Sequence, residues 1–549
     1  MASSDEFLRP PTNEEFDTTT RVPSHYKPLD TFRLGSGQDR HYQQQYGDMY
    51  FLRLAKLKPA VEEIAVEAWE GFTYKWETGF ADLSWFGGQI AGENARRVER
   101  VLDVRQGELC WVAGTIYMDM PLKPNILDDL TKENYTLAPP PRPTYQDPAH
   151  PELTQIMLED ESGRLRLTGS MLRNTQLCTG AIIAVLGTEN ANGDFEVIDT
   201  KVPDLPQQPR RWGSDTLDAP TGAMKGKIAF VSGLGITGTS SDTLALELLA
   251  DYLLGYTGGA SEGALPDASA ITRLIIAGNS VGASMTTDVN ADSATKKRTG
   301  PKKYGYDASA YNASPITRLD SFLAEILPSM PVTLMPGESD PANFSLPQQG
   351  IHRAMFPQAR AYCAPPPAGE DKKEPGWFDS VTNPWEGDVE GWRLWGSSGQ
   401  NVDDILRYLN FADEEGNVAD GAGDSEARMR VMEAMLRWRC GVPTAPDTLW
   451  SYPFQTHDPF VIQTCPHIFF AGNQPQFKTA VIEGDAPLKL NGADTEMTGT
   501  DDDNTSGPRV RLLSIPKFKE TGELVLVDTE TLEVEVVKFS TFAGQQEQQ

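Results

Sequence analysis

Two glycine-rich turns near the middle of the chain have the residue spacing of chemistry. Gly233-Leu234-Gly235-Ile236-Thr237-Gly238 is a GxGxxG after an apolar run and before a helical pattern. In that setting backbone amides and a helix N-terminus can hold a pyrophosphate. A dinucleotide site also needs an acid at the end of the next strand to take the ribose hydroxyls. That strand ends Ala277-Gly278-Asn279, without one, so the turn reads as glycines that let strand and helix pack closely. Gly278-Asn279-Ser280-Val281-Gly282 has the GxSxG spacing of a nucleophile elbow, with His457 or His467 as a base on paper only. An elbow demands a helix at once, and the residues that follow, ASMTTDVNADSATKK, lack an apolar period.

Other reactive residues are sparse or badly spaced. There are six histidines (His25, His41, His150, His352, His457, His467) and five scattered cysteines (Cys110, Cys178, Cys363, Cys440, Cys465), none in a CxxC. They read as reduced thiols with neither a disulfide frame nor a zinc knuckle. Lys296, Lys297, Arg298, Lys302 and Lys303 form a basic cluster in a polar stretch; a solvated loop is preferred over an import signal or phosphate contact. The acidic run Asp501-Asp502-Asp503 lacks calcium-loop spacing. Trp392 and Trp395 fall in a strand pattern and read as core, whereas for Trp377, in an insert, anchoring of a partner is the lesser reading.

The elements that would position these residues divide into two kinds. The chain has 549 residues, 39% of them hydrophobic, and its 48 basic and 78 acidic residues give a net charge of −30. That length suits two or three substantial domains. The charge argues against a surface that sheathes nucleic acid, though not against a local basic patch. No apolar run approaches a membrane span, and the polar N-terminus lacks the apolar region of a secretory signal. Residues 1–40 read as a flexible tail. Residues 46–69 read as an amphipathic helix, broken or kinked at Pro59. Strands follow at 108–118, 155–160, 164–170, 181–189 and 195–202, with hairpin signals at Glu161-Ser162-Gly163 and Asn190–Asp194. Five strands with a long first connection suit an OB-fold, so 41–202 is expected to be a five-stranded barrel with an N-terminal helix. Residues 203–226 read as a linker. From 227 to 549 strands and helices alternate (strands at 227–234, 273–279, 332–340, 389–399 and 466–473; helices at 243–255, 316–328 and 426–439) and end in β-strands at 510–518 and 523–539. This is a layered α/β domain with a mixed sheet, interrupted by inserts at 284–314, 364–376 and 491–507.

Several of these strands end in glycine turns: FVSGLG, IIAGNSVG, LMPGESD, WGSSGQN and FFAGNQP. The series resembles the calcineurin-type metallophosphoesterase family, whose strands end in D-x-H, G-D-x-x-D, G-N-H-[DE] and G-H-x-H because two metals need carboxylate and imidazole ligands. At the matching positions this chain has Gly233 and Gly235, Asn279 and Gly282, Glu338 and Ser339, and Asn473 and Pro475. The resemblance makes these vestigial metal positions, with no catalytic residue, metal or cofactor, because glycine offers no ligand and a lone Asp340 or Glu338 offers too few.

An OB-fold followed by a phosphoesterase domain without ligands resembles the B-subunit family of eukaryotic replicative DNA polymerases, above all its polymerase delta branch. The stretches that carry this are QQYGDMYFLRLAKLKP, FVSGLGITG, MPGESDPANFSLPQQGIHRAMFP, TNPWEGDVEGWRLWGSSGQNVDDILRY, PTAPDTLWSYPF and DPFVIQTCPHIFFAGNQPQF, together spanning roughly residues 41–543. The resemblance implies a non-enzymatic nuclear scaffold. Its partners would be the Cys-rich C-terminal domain of the catalytic subunit of DNA polymerase delta and a third accessory subunit. The catalytic subunit of polymerase zeta would be a shared partner, and sliding clamp and DNA would be reached indirectly. The alternatives are a B-subunit of polymerase alpha or epsilon and an active metallophosphoesterase with relocated ligands.

Overall fold

The computed structural model describes residues 20–35, 46–69, 95–124, 144–147, 149–211, 226–238, 243–256, 268–282, 313–364, 376–409, 421–484 and 507–539. The basic cluster at 296–303, the run at 501–503 and nearly all of the three inserts lie outside these residues.

The first described segment is not a free tail. β1 (Tyr26–Pro28) pairs antiparallel with Gly387, Asp388 and Val389 far along the chain, and Phe32 is buried against Trp395 and Phe460. Residues 20–35 are therefore a strap, held by two aromatic side chains that the lack of periodicity concealed.

The helix Gly47–Trp69 runs through Pro59 without a break, so of the two expectations the break does not occur. Pro59 cannot bond back to the Ala55 carbonyl, but Ala55 is exposed, so water can serve that oxygen. Leu54, Leu57, Val61, Ala65 and Trp69 hold the helix on one apolar face.

After β2 (Arg96–Arg97) come the five barrel strands, β3 (Leu109–Asp119), β4 (Gln155–Glu159), β5 (Arg164–Thr168), β6 (Ile182–Glu189) and β7 (Phe195–Lys201). Their order is β3-β4-β5-β7-β6, closed by β3 against β6, with β5 and β7 parallel. This is the OB topology expected. β3 is apolar over most of its length because both its faces are buried, with Thr115 its one buried polar residue and Asp119 exposed at its end. Cys110, Val112, Ile116 and Met118 point into one core, and Leu109, Trp111 and Ala113 lie in the core shared with the helix.

The second domain is a sandwich of two six-stranded sheets. Its strands are β8 (Lys227–Val231), β9 (Ile271–Ala277), β10 (Val332–Met335), β11 (Phe378–Ser380), β12 (Trp385–Val389), β13 (Trp392–Ser397), β14 (Ile468–Gln474), β15 (Lys478–Glu483), β16 (Arg509–Pro516), β17 (Glu523–Asp528) and β18 (Val534–Lys538). The sheet orders are β11-β10-β9-β8-β17-β18 and β1-β12-β13-β14-β16-β15. Phe230 of β8 meets Phe470 of β14 between the sheets, ring centroids 5.2 Å apart. Helices Thr243–Leu254 and Ser314–Ile326 cover the outer face of the first sheet, and Gln400–Tyr408 and Gly421–Arg437 that of the second. The span 389–399, read as one strand, is the end of a hairpin that turns at Glu390 and Gly391, with φ of 51° and 86°. The adjacent non-periodic stretch Thr382–Asp388 hid its first arm.

Candidate functional site

The parallel strands β8, β9, β10, β13 and β14 end at the same side of the sandwich, so their following turns meet there. In a working phosphoesterase such an edge carries metal ligands. Here it carries amides, hydroxyls and backbone.

Asn473, the penultimate residue of β14, sits at the centre with φ 56°. Its N–H donates to Ser232 Oγ (2.8 Å), and its side-chain Nδ2 donates to the carbonyls of Ser398 (2.8 Å) and Ala277 (3.3 Å). The backbone N–H and the side-chain amide of this one residue thus tie the ends of β8, β9, β13 and β14. Gly233, with φ 60°, leaves no room for a side chain: a Cβ there would stand 2.8 Å from Asn473 Oδ1. Asn279, also left-handed (φ 53°), accepts from Ser339 N–H at 3.1 Å, and Ser339 Oγ donates to the Val281 carbonyl at 2.5 Å. Gly235 and Gly282 face each other a step further out, where a Cβ on Gly282 would stand 2.7 Å from Gly235 O. Glu338 is exposed at the rim, and Pro475 follows the last residue of β14.

Asp340 is the carboxylate nearest to a ligand, and it is already occupied. It is buried, and its two oxygens accept N–H groups from Gly337 (2.8 Å), Val281 (2.8 Å) and Ser280 (3.2 Å). Burial pushes its carboxyl up to about 6, against the pull of those donors. A second polar cluster closes the other flank. Asn383 Nδ2 donates to Gln348 Oε1 (2.8 Å), Ser398 Oγ (2.8 Å) and Gln400 Oε1 (2.7 Å). These residues were missed from the sequence, because positions 348, 383, 398 and 400 have no common motif.

The donor set does not fit a binuclear metal centre. Neutral amide and backbone groups dominate it, and its one buried carboxylate has both oxygens engaged. Among the described residues no three or more His, Cys, Asp or Glu side chains cluster as metal ligands.

The two motif readings resolve the same way. Leu234 and Ile236 of the GxGxxG are buried in the helix-covered core, and Ile236 bridges to Val281. The turn is a packing device. Ser280 is fully buried, and Val281 forms that bridge instead of opening a helix. His457 is exposed beside Phe454. His467 lies before the opposite end of β14, roughly 20 Å away at the rise of a strand. There its Nδ1 accepts Arg393 N–H at 3.1 Å, and burial lowers it to about 4. Neither can serve Ser280. Trp392 and Trp395 are buried as expected, and Trp377 is 48% exposed beside the edge strand β11.

An OB barrel carried on a calcineurin-like phosphoesterase sandwich, with the strand ends closed by amides, defines the B-subunit class of architecture. The family of DNA polymerase alpha/epsilon B-subunits matches residues 228–479, and the one described as "DNA polymerase delta subunit OB-fold domain" matches residues 45–200. The chain is 34% identical to the DNA polymerase delta small subunit of Saccharomyces cerevisiae, over 91% of this chain and 90% of that one. It is 32% identical to the DNA polymerase delta small subunit of Arabidopsis thaliana, over 96% and 98%. With DNA polymerase delta subunit 2 of Drosophila melanogaster the identity is 31%, over 96% and 100%. The chain belongs to the DNA polymerase delta small-subunit family.

Proposed function

We propose that the chain is a non-catalytic accessory subunit that holds other subunits of DNA polymerase delta together in the nucleus. Its partners are the Cys-rich C-terminal domain of the catalytic subunit and a third accessory subunit. The catalytic subunit of polymerase zeta is a further partner, and the sliding clamp and DNA are reached through the partners. The observation that supports this reading most is the chemistry at the strand ends. The turns at Gly233, Gly235, Asn279, Gly282, Glu338, Ser339, Asn473 and Pro475 keep the shape of a phosphoesterase edge, while side-chain amides and backbone occupy its interior. We read them as vestigial metal positions.

The barrel reads as a protein-binding element. Tyr117 on β3 is the aromatic beside the charged strand β5. Lys123 Nζ lies 4.2 Å and Arg164 Cζ 4.6 Å from its ring centroid. A nucleic-acid base would have to displace a cation to stack there. The net charge of −30 also disfavours direct contact with a polyphosphate.

Affinity purification of the tagged chain from its own cells tests the proposal. Recovery of the polymerase delta catalytic subunit is expected. Recovery of the alpha or epsilon catalytic subunit instead would move the chain to another branch of the B-subunits, and recovery of no polymerase would remove the scaffold reading. Manganese-dependent phosphodiester hydrolysis abolished by Asp340→Ala would establish the enzyme in its place.

A further inference from the structure

Arg53 lies on the helix packed against the outside of the barrel, yet its guanidinium is directed wholly at the sandwich. Nε donates to Asp458 Oδ2 at 2.8 Å, and the two terminal nitrogens donate to the carbonyls of Pro443 (2.7 Å) and Ala445 (3.1 Å). Among the described ion pairs it is the one with both side chains at 1% exposure. The far oxygen of Asp458 accepts Phe460 N–H at 2.9 Å, so the carboxylate is anchored on its own side. On the barrel side, Gly180 has φ 89°, and a Cβ there would overlap the Pro443 carbonyl and stand 2.9 Å from an Arg53 nitrogen. Backbone of one domain therefore lies directly on backbone of the other, with the guanidinium in the seam.

The seam has neutral and partly exposed reinforcements as well. Tyr145 OH donates to Asp404 Oδ1 at 2.6 Å, and Lys123 pairs with Asp447 at 2.8 Å. The Arg53 pair differs in kind. Sliding the domains past each other here would leave a buried, unpaired charge on each side, the arrangement a protein tolerates least.

We infer that Arg53 keys the barrel to the sandwich, so that the two domains unfold as one body and offer partner subunits a surface of fixed geometry. The mechanical claim stands on the seam alone. Its consequence for partners rests on the scaffold reading, because a preformed surface avoids the ordering cost of binding.

The test uses the full chain with Arg53→Met, the milder Arg53→Lys, and the double variant Arg53→Met with Asp458→Leu. In wild type a single unfolding transition is expected. In Arg53→Met the transition splits, and amide exchange at 178–184 and 440–446 accelerates on the order of a hundredfold or more, while strands β9, β14 and β16 keep their protection. Arg53→Lys falls between the two, and the double variant, which relieves the buried charge but restores no bond across the seam, still unfolds in two steps; a single transition in the double variant would place the coupling in the surrounding packing and overturn the role of Arg53. Wild-type cooperativity and exchange in Arg53→Met, or in Arg53→Lys if the former cannot be purified, would overturn the inference. So would loss of protection spread evenly over the chain. Capture of the purified C-terminal domain of the catalytic subunit is measured in parallel. Failure of the wild type to capture it sinks the scaffold reading without touching the seam.

Discussion

Asp340 and His467 titrate within the same pH window and pull stability in opposite directions. Burial raises the Asp340 carboxyl from 3.8 to about 6. Its stabilising contribution is fully present below pH 4 and is lost as pH rises through about 6. Burial lowers His467 from 6.5 to about 4. Its contribution is present above pH 6.5 and is lost as pH falls toward 4. Each shift of two units or slightly more corresponds to about 3 kcal/mol. The two slopes oppose each other between pH 4 and 6, so each emerges only in a variant. Relative to wild type, Asp340→Asn is expected to gain about 3 kcal/mol of unfolding free energy between pH 4 and pH 7. His467→Asn keeps an acceptor for Arg393 N–H and is expected to gain about 3 kcal/mol relative to wild type as pH falls from 7 to 4. Urea titrations of the three proteins across this range decide the matter; parallel pH curves would show that neither group is perturbed. At this scale the sequence told only part of the story. The glycines at 233, 235 and 278 announced turns, and the missing histidines announced a lost centre. That Asn473 would gather four strand ends, or that Asn383 would bond Gln348 and Gln400, depends on distances across the fold that no local spacing encodes.

Among the elements, the strap at residues 20–35 carries a consequence that the linear order of the chain hides. The segment precedes the barrel in sequence but belongs to the sandwich. The Arg21 guanidinium donates to the carbonyls of Leu253 (2.8 Å), Ala268 (2.6 Å) and Ile271 (2.9 Å). Tyr26 covers the buried Arg273, whose Cζ lies 4.1 Å from the ring centroid, and its hydroxyl donates to Asp379 at 2.6 Å. Phe32 fills a space between Trp395 and Phe460. The barrel is thus an insertion between two parts of the sandwich domain. Phe32→Ala is expected to cost about 3–5 kcal/mol, as for a large aromatic removed from a close-packed core. A loss under 1 kcal/mol in chemical denaturation would mean that the strap is merely draped on the surface. The elements most legible in the sequence were those buried on both faces or bounded by turn residues: β3 as a long, mostly apolar run, the hairpin at Asp160–Gly163, and β8, β9 and β14 before their glycines. Among those that escaped, which include β2, β11 and β12, β1 is a three-residue edge strand and β15 a strand of mixed polarity. Each is fixed by its neighbours more than by its own pattern.

Across the whole molecule, charge is the property with the longest reach. An excess of 30 acidic residues is held on a folded body, where like charges lie closer together than in the unfolded chain. Most of the described ion pairs have at least one exposed side chain, such as Arg164–Glu159 and Arg318–Glu247. Exposed pairs contribute only about 0–1 kcal/mol each. Net repulsion over longer distances should therefore outweigh them at low salt. The screening length shrinks from about 30 Å at 0.01 M to about 8 Å at 0.15 M ionic strength. That change removes repulsion between distant acids while leaving contacts near 3 Å and the buried Arg53–Asp458 pair almost untouched. The thermal midpoint is accordingly expected to rise by roughly 2–5 °C as sodium chloride increases from 0.01 to 0.15 M, and then to level off. A midpoint that falls with salt would show that attractive surface networks dominate instead. The same field acts on polyphosphates, so the subunit alone should not retain duplex DNA at 0.15 M salt in a mobility-shift assay. Retention that weakens steeply with added salt would reveal a basic face that the net charge conceals.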